Sequence, residues 1–139
     1  MGQVEDAPLG YLLYRVGAVL RPEVSAVLGP LDLTLPEFVC LRILSLNPGK
    51  SSAELSRHTN VSPQAMNTVL RKLEDIGAVE RPASVSSGRA LPATLTGQGR
   101  ALLKRAEAAV RLADARILGK LTGGQQREFK RMLDKLGSD

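Results

Sequence analysis

Apolar residues recur at helical spacing over a long stretch near the start of the chain. The stretch covers about residues 8 to 28, where intervals of three and four positions predict one long amphipathic helix. Pro22 lies inside it and predicts a kink or a break, and Gly29-Pro30 predicts its end. The apolar positions are Leu9, Leu12, Leu13, Val16, Val19, Leu20, Val24, Val27 and Leu28.

The C-terminal part of the chain predicts two further helices. Thr96 can cap a helix that runs to about Leu118. Thr122 and Gln125 have the spacing of a capping box, in which each side chain bonds the backbone N–H of the other residue. The predicted inward positions are Leu102, Leu103, Ala106, Ala109, Val110, Ala113 and Ile117, followed by Phe129, Met132, Leu133 and Leu136.

The middle of the chain begins with two shorter predicted helices. The first runs from about Pro36 to Leu46, with Thr34 as its cap and Phe38, Leu41 and Leu44 on one face. Residues 47–49, Asn-Pro-Gly, stop it. Ser51 and Glu54 then form a capping box that starts the second helix.

A third helix and a hairpin follow at once. Ser62 is a typical N-cap, Pro63 suits the first helical position, and Gly77 suits the left-handed residue that ends a helix. Its apolar face is Met66, Val69, Leu70, Leu73 and Ile76. Residues 78–81 and 89–95 then predict two short strands around a tip at 84–88, with Pro92 marking an edge. This order predicts a winged helix-turn-helix: a mainly α fold with a small β-hairpin wing.

The polar face of the third helix predicts contact with DNA. The N-terminal side chains of a helix in the major groove meet base edges. Gln and Asn can bind adenine through two hydrogen bonds, Thr can contact a thymine methyl, and cations suit guanine or phosphate. An ordinary solvated helix face is the alternative. The candidate residues are Gln64, Asn67, Thr68, Arg71 and Lys72.

The remaining DNA candidates flank this face. Ser62 and Pro63 begin the helix, and Ser86, Ser87 and Arg89 belong to the wing. Arg89 lies just behind the hairpin tip, where it can reach a phosphate or a narrow minor groove. A solvated turn cation is the alternative for this residue. We expect Ser62, Lys72, Arg89 and the wing to hold the DNA backbone.

These segments together resemble a known family. The run from Leu33 (LTLPEFVCLRIL) through SSAELSRHTNVSPQAMNTVLRKLEDIGAVERP to LPATLTGQGRALL is similar to the MarR family of bacterial regulators, over nearly the whole chain. The resemblance implies a homodimer, in which the first helix and last two helices of each subunit interlock. The wing departs from the family pattern, because Ser87 stands where an aspartate is expected and Gly88 stands at an often basic position.

The resemblance also implies a small phenolic or aromatic-acid effector between the dimer frame and the head. Aromatic walls with a cation suit such a carboxylate. Tyr11, Tyr14, Phe38 and Arg42 are the candidate ligand residues. Core packing, with the hydroxyls reaching solvent, is the alternative interpretation.

Charge supports a polyanionic partner without locating it. The 139 residues carry a formal net charge of +5, which favours nucleic acid. Residues 1–49 sum to −2, residues 50–96 to +2 and residues 97–139 to +5. The largest excess therefore lies outside the proposed reading head.

Several classes of function find no support in the sequence. A single cysteine, Cys40, excludes an intrachain disulfide, and its apolar neighbours indicate a packing residue. His58 is the only histidine and has no ligand cluster around it, so no metal is expected. We find no catalytic constellation, signal peptide or membrane-spanning run, so we expect a cytoplasmic non-enzyme without a cofactor.

The sequence thus predicts a single MarR-like domain over residues 1–139. Residues 1–33 and 97–139 form a helical dimerisation frame, and residues 34–96 form the DNA-binding head. The expected function is that of a ligand-responsive repressor, binding a pseudo-palindromic operator as a homodimer. A winged-helix module for protein–protein contact, without DNA binding, is the alternative.

Overall fold

Helices and one two-stranded hairpin make up the fold in a computed structural model that describes residues 3–59, 61–81 and 92–138. The short α1 is Gln3–Asp6, and a 3-10 turn at Gly29–Leu31 follows α2. The remaining elements are α2 Leu9–Leu28, α3 Leu35–Leu46, α4 Ser52–Thr59, α5 Pro63–Asp75, β1 Val79–Glu80, β2 Thr94–Leu95, α6 Gly97–Leu118 and α7 Gly123–Gly137. The predicted fold class, mainly helical with a small hairpin, is confirmed.

The predicted helix starts are confirmed by their capping bonds. The backbone N–H of Glu54 donates to the Ser51 hydroxyl at 3.2 Å, and the Ser51 N–H donates to the Glu54 carboxylate at 3.1 Å. Capping boxes of the same kind start α3 and α7. Single side-chain caps start α5 and α6. The residues that accept these bonds are Thr34, Ser51, Ser62, Thr96 and Thr122.

Of the two outcomes predicted at Pro22, a kink or a break, the structure excludes a break. The helix α2 continues through this proline from Leu9 to Leu28. Proline removes one helical N–H, which leaves the carbonyl of Ala18 without its usual donor. Because Ala18 and Pro22 are both exposed, water can satisfy that carbonyl and the helix can continue. Gly29-Pro30 ends α2 as predicted, by turning it into the 3-10 segment.

The head has a fully buried core made from α3, α4 and α5. The apolar face predicted for α5 is confirmed at Met66, Leu70 and Leu73, which are completely buried. Gly77 has the expected left-handed conformation, with φ +80°, directly after α5. The side chains that pack against α5 include Leu41, Leu44 and Leu55, together with Cys40.

The root of the wing is tied to the head by a third segment. Val79 pairs with Leu95 and Glu80 with Thr94 in an antiparallel register. One residue earlier on the second strand, Ala93 forms a bridge to Lys50 instead of to the first strand. Its N–H donates to the Lys50 carbonyl at 2.9 Å. The residues predicted for the hairpin tip lie outside the described part of the chain.

The terminal helices leave much apolar surface uncovered. Helix α2 packs mainly against α6, and an ion pair between Glu23 and Arg116 at 2.6 Å adds to this contact. Helix α7 has no buried residue. The exposed large apolar side chains on these three helices are Leu9, Tyr11, Leu13, Tyr14, Val16, Val19, Leu112, Met132, Leu133 and Leu136. Of the predicted frame stripe, a single chain therefore leaves Leu9, Leu13, Val16, Val19, Met132, Leu133 and Leu136 exposed to water.

Two glycines at the start of α6 provide a matched test of packing. A Cβ at Gly99 would overlap the carbonyl oxygen of Ala78, whereas a Cβ at Gly97 would meet nothing within 4 Å. Because a backbone carbonyl cannot rotate away, we expect Gly99→Ala to lower the free energy of unfolding by roughly 1–3 kcal/mol or more. Gly97→Ala should be neutral or stabilising by up to about 1 kcal/mol, because alanine is the better helix former. Urea unfolding of both variants measures this, and equal stabilities would contradict the packing.

Candidate nucleic-acid interface

Helix α5 turns one polar face away from the core. Gln64, Thr68 and Arg71 are exposed, and Asn67 is half-buried. Ser62 caps the helix by accepting a hydrogen bond from the Ala65 N–H at 3.1 Å, which leaves the first turn and its side chains at the surface. The structure therefore brings Gln64, Asn67, Thr68 and Arg71 to one face, as expected of a reading helix.

Most of these side chains are available to an external partner. The Thr68 hydroxyl donates to the Gln64 carbonyl at 3.2 Å, which orients the hydroxyl and directs its methyl group. Within the described residues, no hydrogen bond or ion pair engages the side chains of Gln64, Asn67 or Arg71. Two amides and a guanidinium can thus present their full donor and acceptor sets to base edges or phosphates.

The Lys72 side chain differs from the others on this face, because its ammonium group points toward the protein rather than toward solvent. Its ammonium group donates to the Glu37 carboxylate at 2.8 Å and to the backbone carbonyl of Asp32 at 2.6 Å. The Lys72 side chain is 31% exposed and the Glu37 side chain only 8%. A phosphate would have to compete with these partners for the same charge.

The wing is fixed to α5 at its root. The Arg81 guanidinium donates twice to one carboxylate oxygen of Glu74, at 2.9 and 2.6 Å. This pair joins the end of α5 to the residue that follows β1. The predicted wing contacts Ser86, Ser87 and Arg89 lie outside the described residues and stay predictions.

Sequence reasoning overlooked Arg57 and His58 as DNA candidates. Both are exposed in the last turn of α4. The first helix of a helix-turn-helix crosses the DNA backbone, so the exposed Arg57 guanidinium suits phosphates and the His58 imidazole can donate a hydrogen bond. The signal was present in the sequence, as a basic last turn directly before the predicted reading helix.

Among the cavities of the described residues, 3–59, 61–81 and 92–138, none is lined by all four predicted ligand residues. Phe38 and Arg42 line a shallow cavity of about 200 Å³ whose wall includes Glu107, and the Arg42 guanidinium donates to that glutamate at 2.6 Å. Tyr11 and Tyr14 lie on α2 and are 55% and 69% exposed. Neither tyrosine lines a described cavity together with Phe38 and Arg42.

A larger cavity lies where α2 meets the head. Its volume is about 510 Å³, and its walls are mostly apolar with one guanidinium at the side. That volume falls in the range of small-molecule sites, which are mainly apolar with a few polar groups. The lining residues are Arg21, Ser25, Leu33, Thr34, Leu35, Pro36, Val39, Thr59 and Val61.

Arg21, the charged side chain that lines this cavity, contacts neighbouring residues of α2. The Arg21 guanidinium lies over the Tyr14 ring, 6.0 Å from its centroid. It also lies against Gly17, where an added Cβ would come within 2.8 Å of an Arg21 nitrogen. The predicted residue Tyr14 is therefore adjacent to the cavity through Arg21 although it does not line it.

Cys40 is completely buried in the head core. Burial raises the pKa of its thiol to about 12. Because the thiolate is the nucleophilic form, this thiol is unreactive at neutral pH in the folded protein. Among the described residues, no group of three His, Cys, Asp or Glu side chains is placed to hold a metal ion.

Within the described segments, no single helix is long and apolar enough to cross a bilayer. Leu9–Leu31 and Leu35–Leu46 reach the required length and hydropathy only when taken together, and they are bent by 79° at their junction.

Comparison with known proteins agrees with this geometry. The sequence model of the MarR family matches residues 33–91. The HTH-type transcriptional repressor Rv2887 of Mycobacterium tuberculosis is 80% identical over 139 residues, which are 100% of this chain and 100% of that protein.

Solved structures of the same relative superpose over most of the chain. The crystal structure of the Mycobacterium tuberculosis MarR family protein Rv2887 with DNA is 76% identical, with a TM-score of 0.81, and covers 96% of this chain and 100% of that one. Its complex with salicylic acid is 80% identical, with a TM-score of 0.79, and covers 96% and 98%. Because such identity extends over the full length, the chain belongs to the MarR family of DNA-binding transcriptional regulators.

Proposed function

We propose that the protein is a homodimeric repressor of a pseudo-palindromic operator. Gln64, Asn67, Thr68 and Arg71 would read bases in the major groove. Ser62, Pro63 and Arg57 would lie along the phosphates at the two helices of the head, and Ser86, Ser87 and Arg89 would extend the contact from the wing. The observation that carries this proposal is the exposed polar face of α5, whose amides and guanidinium are unengaged within the described residues.

Two further findings support this function. A relative with 76% identity has been crystallised with DNA, which favours DNA over a protein partner. MarR family regulators act as dimers, and the exposed apolar faces of α2, α6 and α7 supply a surface for a second copy. Two reading helices related by a two-fold axis match a palindrome with half-sites about one helical turn apart. We therefore assign residues 1–33 and 97–139 to the dimer frame and residues 34–96 to the head.

We also propose that an aromatic acid regulates DNA binding from the 510 Å³ cavity. The apolar walls would take the ring, and Arg21 would bind the carboxylate. A relative with 80% identity has been crystallised with salicylic acid, which supports this class of ligand. The proposal replaces Phe38 and Arg42 as the ligand residues, because Arg42 is already paired with Glu107. No other cofactor is proposed, and we regard the protein as a cytoplasmic regulator rather than an enzyme.

Titration of salicylate by calorimetry tests the effector proposal. We expect salicylate to bind the free dimer more tightly than the dimer–operator complex, by roughly 5–150-fold, because coupling between two ligands is reciprocal. Arg21→Met should weaken salicylate binding by roughly 10–150-fold, because this is the usual contribution of a hydrogen bond to a charged group.

Arg15→Met is the matched control. Arg15 lies over Tyr11 at 5.8 Å, much as Arg21 lies over Tyr14, but it does not line the cavity. Its replacement should leave salicylate affinity unchanged. Equal affinity for the free and operator-bound dimers would exclude an effector role, and equal losses in the two variants would exclude this cavity.

A further inference from the structure

The charge of Lys72 is bound by two groups at the start of α3: Asp32 lies just before this helix, and Glu37 lies in its first turn. Its ammonium donates to the Glu37 side chain at 2.8 Å and to the Asp32 carbonyl at 2.6 Å. The neighbouring Arg71 is exposed and makes no ion pair within the described residues. Adjacent cations on the same helix are therefore directed to different places, one to the protein and one to solvent.

The segment that binds Lys72 is itself held in a defined geometry. The Glu37 oxygen that accepts from Lys72 also accepts from the backbone N–H of Thr34, at 2.8 Å. Asp32 is the only described non-glycine residue with positive φ, at 56°. Aspartate is one of the few non-glycine types that tolerate the left-handed region, and here Asp32 caps the 3-10 turn, with its N–H donating to the Gly29 carbonyl at 2.8 Å. The acceptors for Lys72 are thus preorganised rather than incidental.

The same segment forms one wall of the 510 Å³ cavity. Leu33 to Pro36 line it, between the two residues that bind Lys72. The lining also includes Thr59 and Val61, which precede the N-cap Ser62 of α5. The cavity therefore reaches the start of α5, and the two residues that flank its wall at residues 33–36 bind Lys72 in the last turn of the same helix.

We propose that Lys72, Glu37 and Asp32 form a latch that sets the position of α5, and that Lys72 is a positioning residue rather than a phosphate ligand. When the cavity is filled, displacement of residues 33–36 moves Glu37 and Asp32 and so shifts α5 relative to the frame. The displacement by a bound ligand rests on the proposed effector site, whereas the positioning of α5 by the latch requires only DNA binding.

The latch and a phosphate contact predict opposite effects of neutralising Glu37. If Lys72 binds phosphate, Glu37→Gln removes a competing anion and should tighten DNA binding. If Lys72 positions α5, Glu37→Gln weakens the latch and should loosen DNA binding. The salt dependence separates them as well, because each lost phosphate contact reduces the slope of log affinity against log salt by about one unit.

The experiment measures operator affinity across a salt series for the full-length dimer. We expect Lys72→Met and Glu37→Gln each to weaken binding about tenfold, as when the competent helix position is populated about a tenth of the time. The double variant should be no weaker than either single variant, because both remove the same interaction. All three should keep the wild-type salt slope, whereas the control Arg57→Met, at an exposed cation proposed to lie along the phosphates, should reduce it by about one unit.

Three results would overturn the latch: a reduced salt slope for Lys72→Met, tighter binding by Glu37→Gln, or losses that multiply in the double variant. Circular dichroism establishes that each variant is folded. If Lys72→Met fails to fold, Lys72→Gln, which retains a donor, is measured over the same salt series.

The proposed transmission from the cavity to α5 is tested by a separate measurement. We expect salicylate to weaken operator binding by roughly 5–150-fold in the wild type. In Lys72→Met we expect salicylate to change operator affinity by no more than about twofold, because a ligand can shift only an equilibrium to which it is coupled. The affinity of the free dimer for salicylate should be preserved. Full retention of the salicylate effect would contradict the transmission step. A wild type that does not respond to salicylate would overturn the effector proposal, and the salt series would still decide the latch.

Discussion

Replacing Leu112 and Leu136 together with aspartate should produce a folded monomer that binds the operator poorly. Both side chains are 68% exposed in the isolated chain, so their loss removes little core packing. In the dimer, each new carboxylate would be buried against apolar surface, which costs several kcal/mol per ion. A monomer also loses the gain from two linked reading helices, roughly 100-fold or more in affinity. Sedimentation at low micromolar concentration and operator titration measure the two effects.

A control for this double variant adds one carboxylate elsewhere on the chain. Asn47→Asp introduces a carboxylate at the exposed end of α3, in the head. We expect this protein to remain a dimer with nearly wild-type operator affinity. A wild-type protein that sediments as a single chain and still binds one operator tightly would contradict the frame. A double-aspartate variant that stays dimeric would place the interface elsewhere on the chain.

Asn67→Ala should weaken operator binding by roughly 1–3 kcal/mol, while random DNA is affected much less. Asn67 is half-buried on the polar face of α5. An amide that pairs with adenine contributes specificity, because a wrong base leaves its donor and acceptor unsatisfied. Competition binding with operator and random duplexes at two salt concentrations measures the difference.

Asn47→Ala is the control for this prediction, because it removes an asparagine side chain from the same head without touching α5. The Asn47 amide donates to the Ile43 carbonyl at the end of α3, so a small loss of stability is expected without loss of specificity. Equal losses for Asn67→Ala on operator and random DNA would rule out base reading by this residue. Its role would then be limited to the phosphate backbone or to packing.

Local signals predicted most of the secondary structure. Helix starts were predictable because a capping box involves residues only three positions apart, as at Thr34, Ser51 and Thr122. The end of α5 was predictable because Gly77 adopts a left-handed conformation that most residues resist. The continuation of α2 through Pro22 was not, because it depends on whether the freed carbonyl meets water or protein.

The polar face of α5 was predictable for a similar reason. Residues three and four positions apart share a helix face, so Gln64, Thr68 and Arg71 had to lie together once α5 was recognised. Lys72 also belongs to that face by spacing, yet its charge is bound by Glu37, thirty-five positions away in the chain. No local pattern indicates such a pair.

Signals along the chain were thus enough to predict the helices, their caps, the polar face of α5 and the family, because these depend on neighbouring residues. The positions of charges and cavities, in contrast, required the packed fold. It joined Arg21 of α2 to Thr59 and Val61 of the head around one cavity, and it directed Lys72 toward the protein. The physical reason is that a cavity or a long-range ion pair exists only after distant segments have packed, and side-chain direction at that contact follows from the packing.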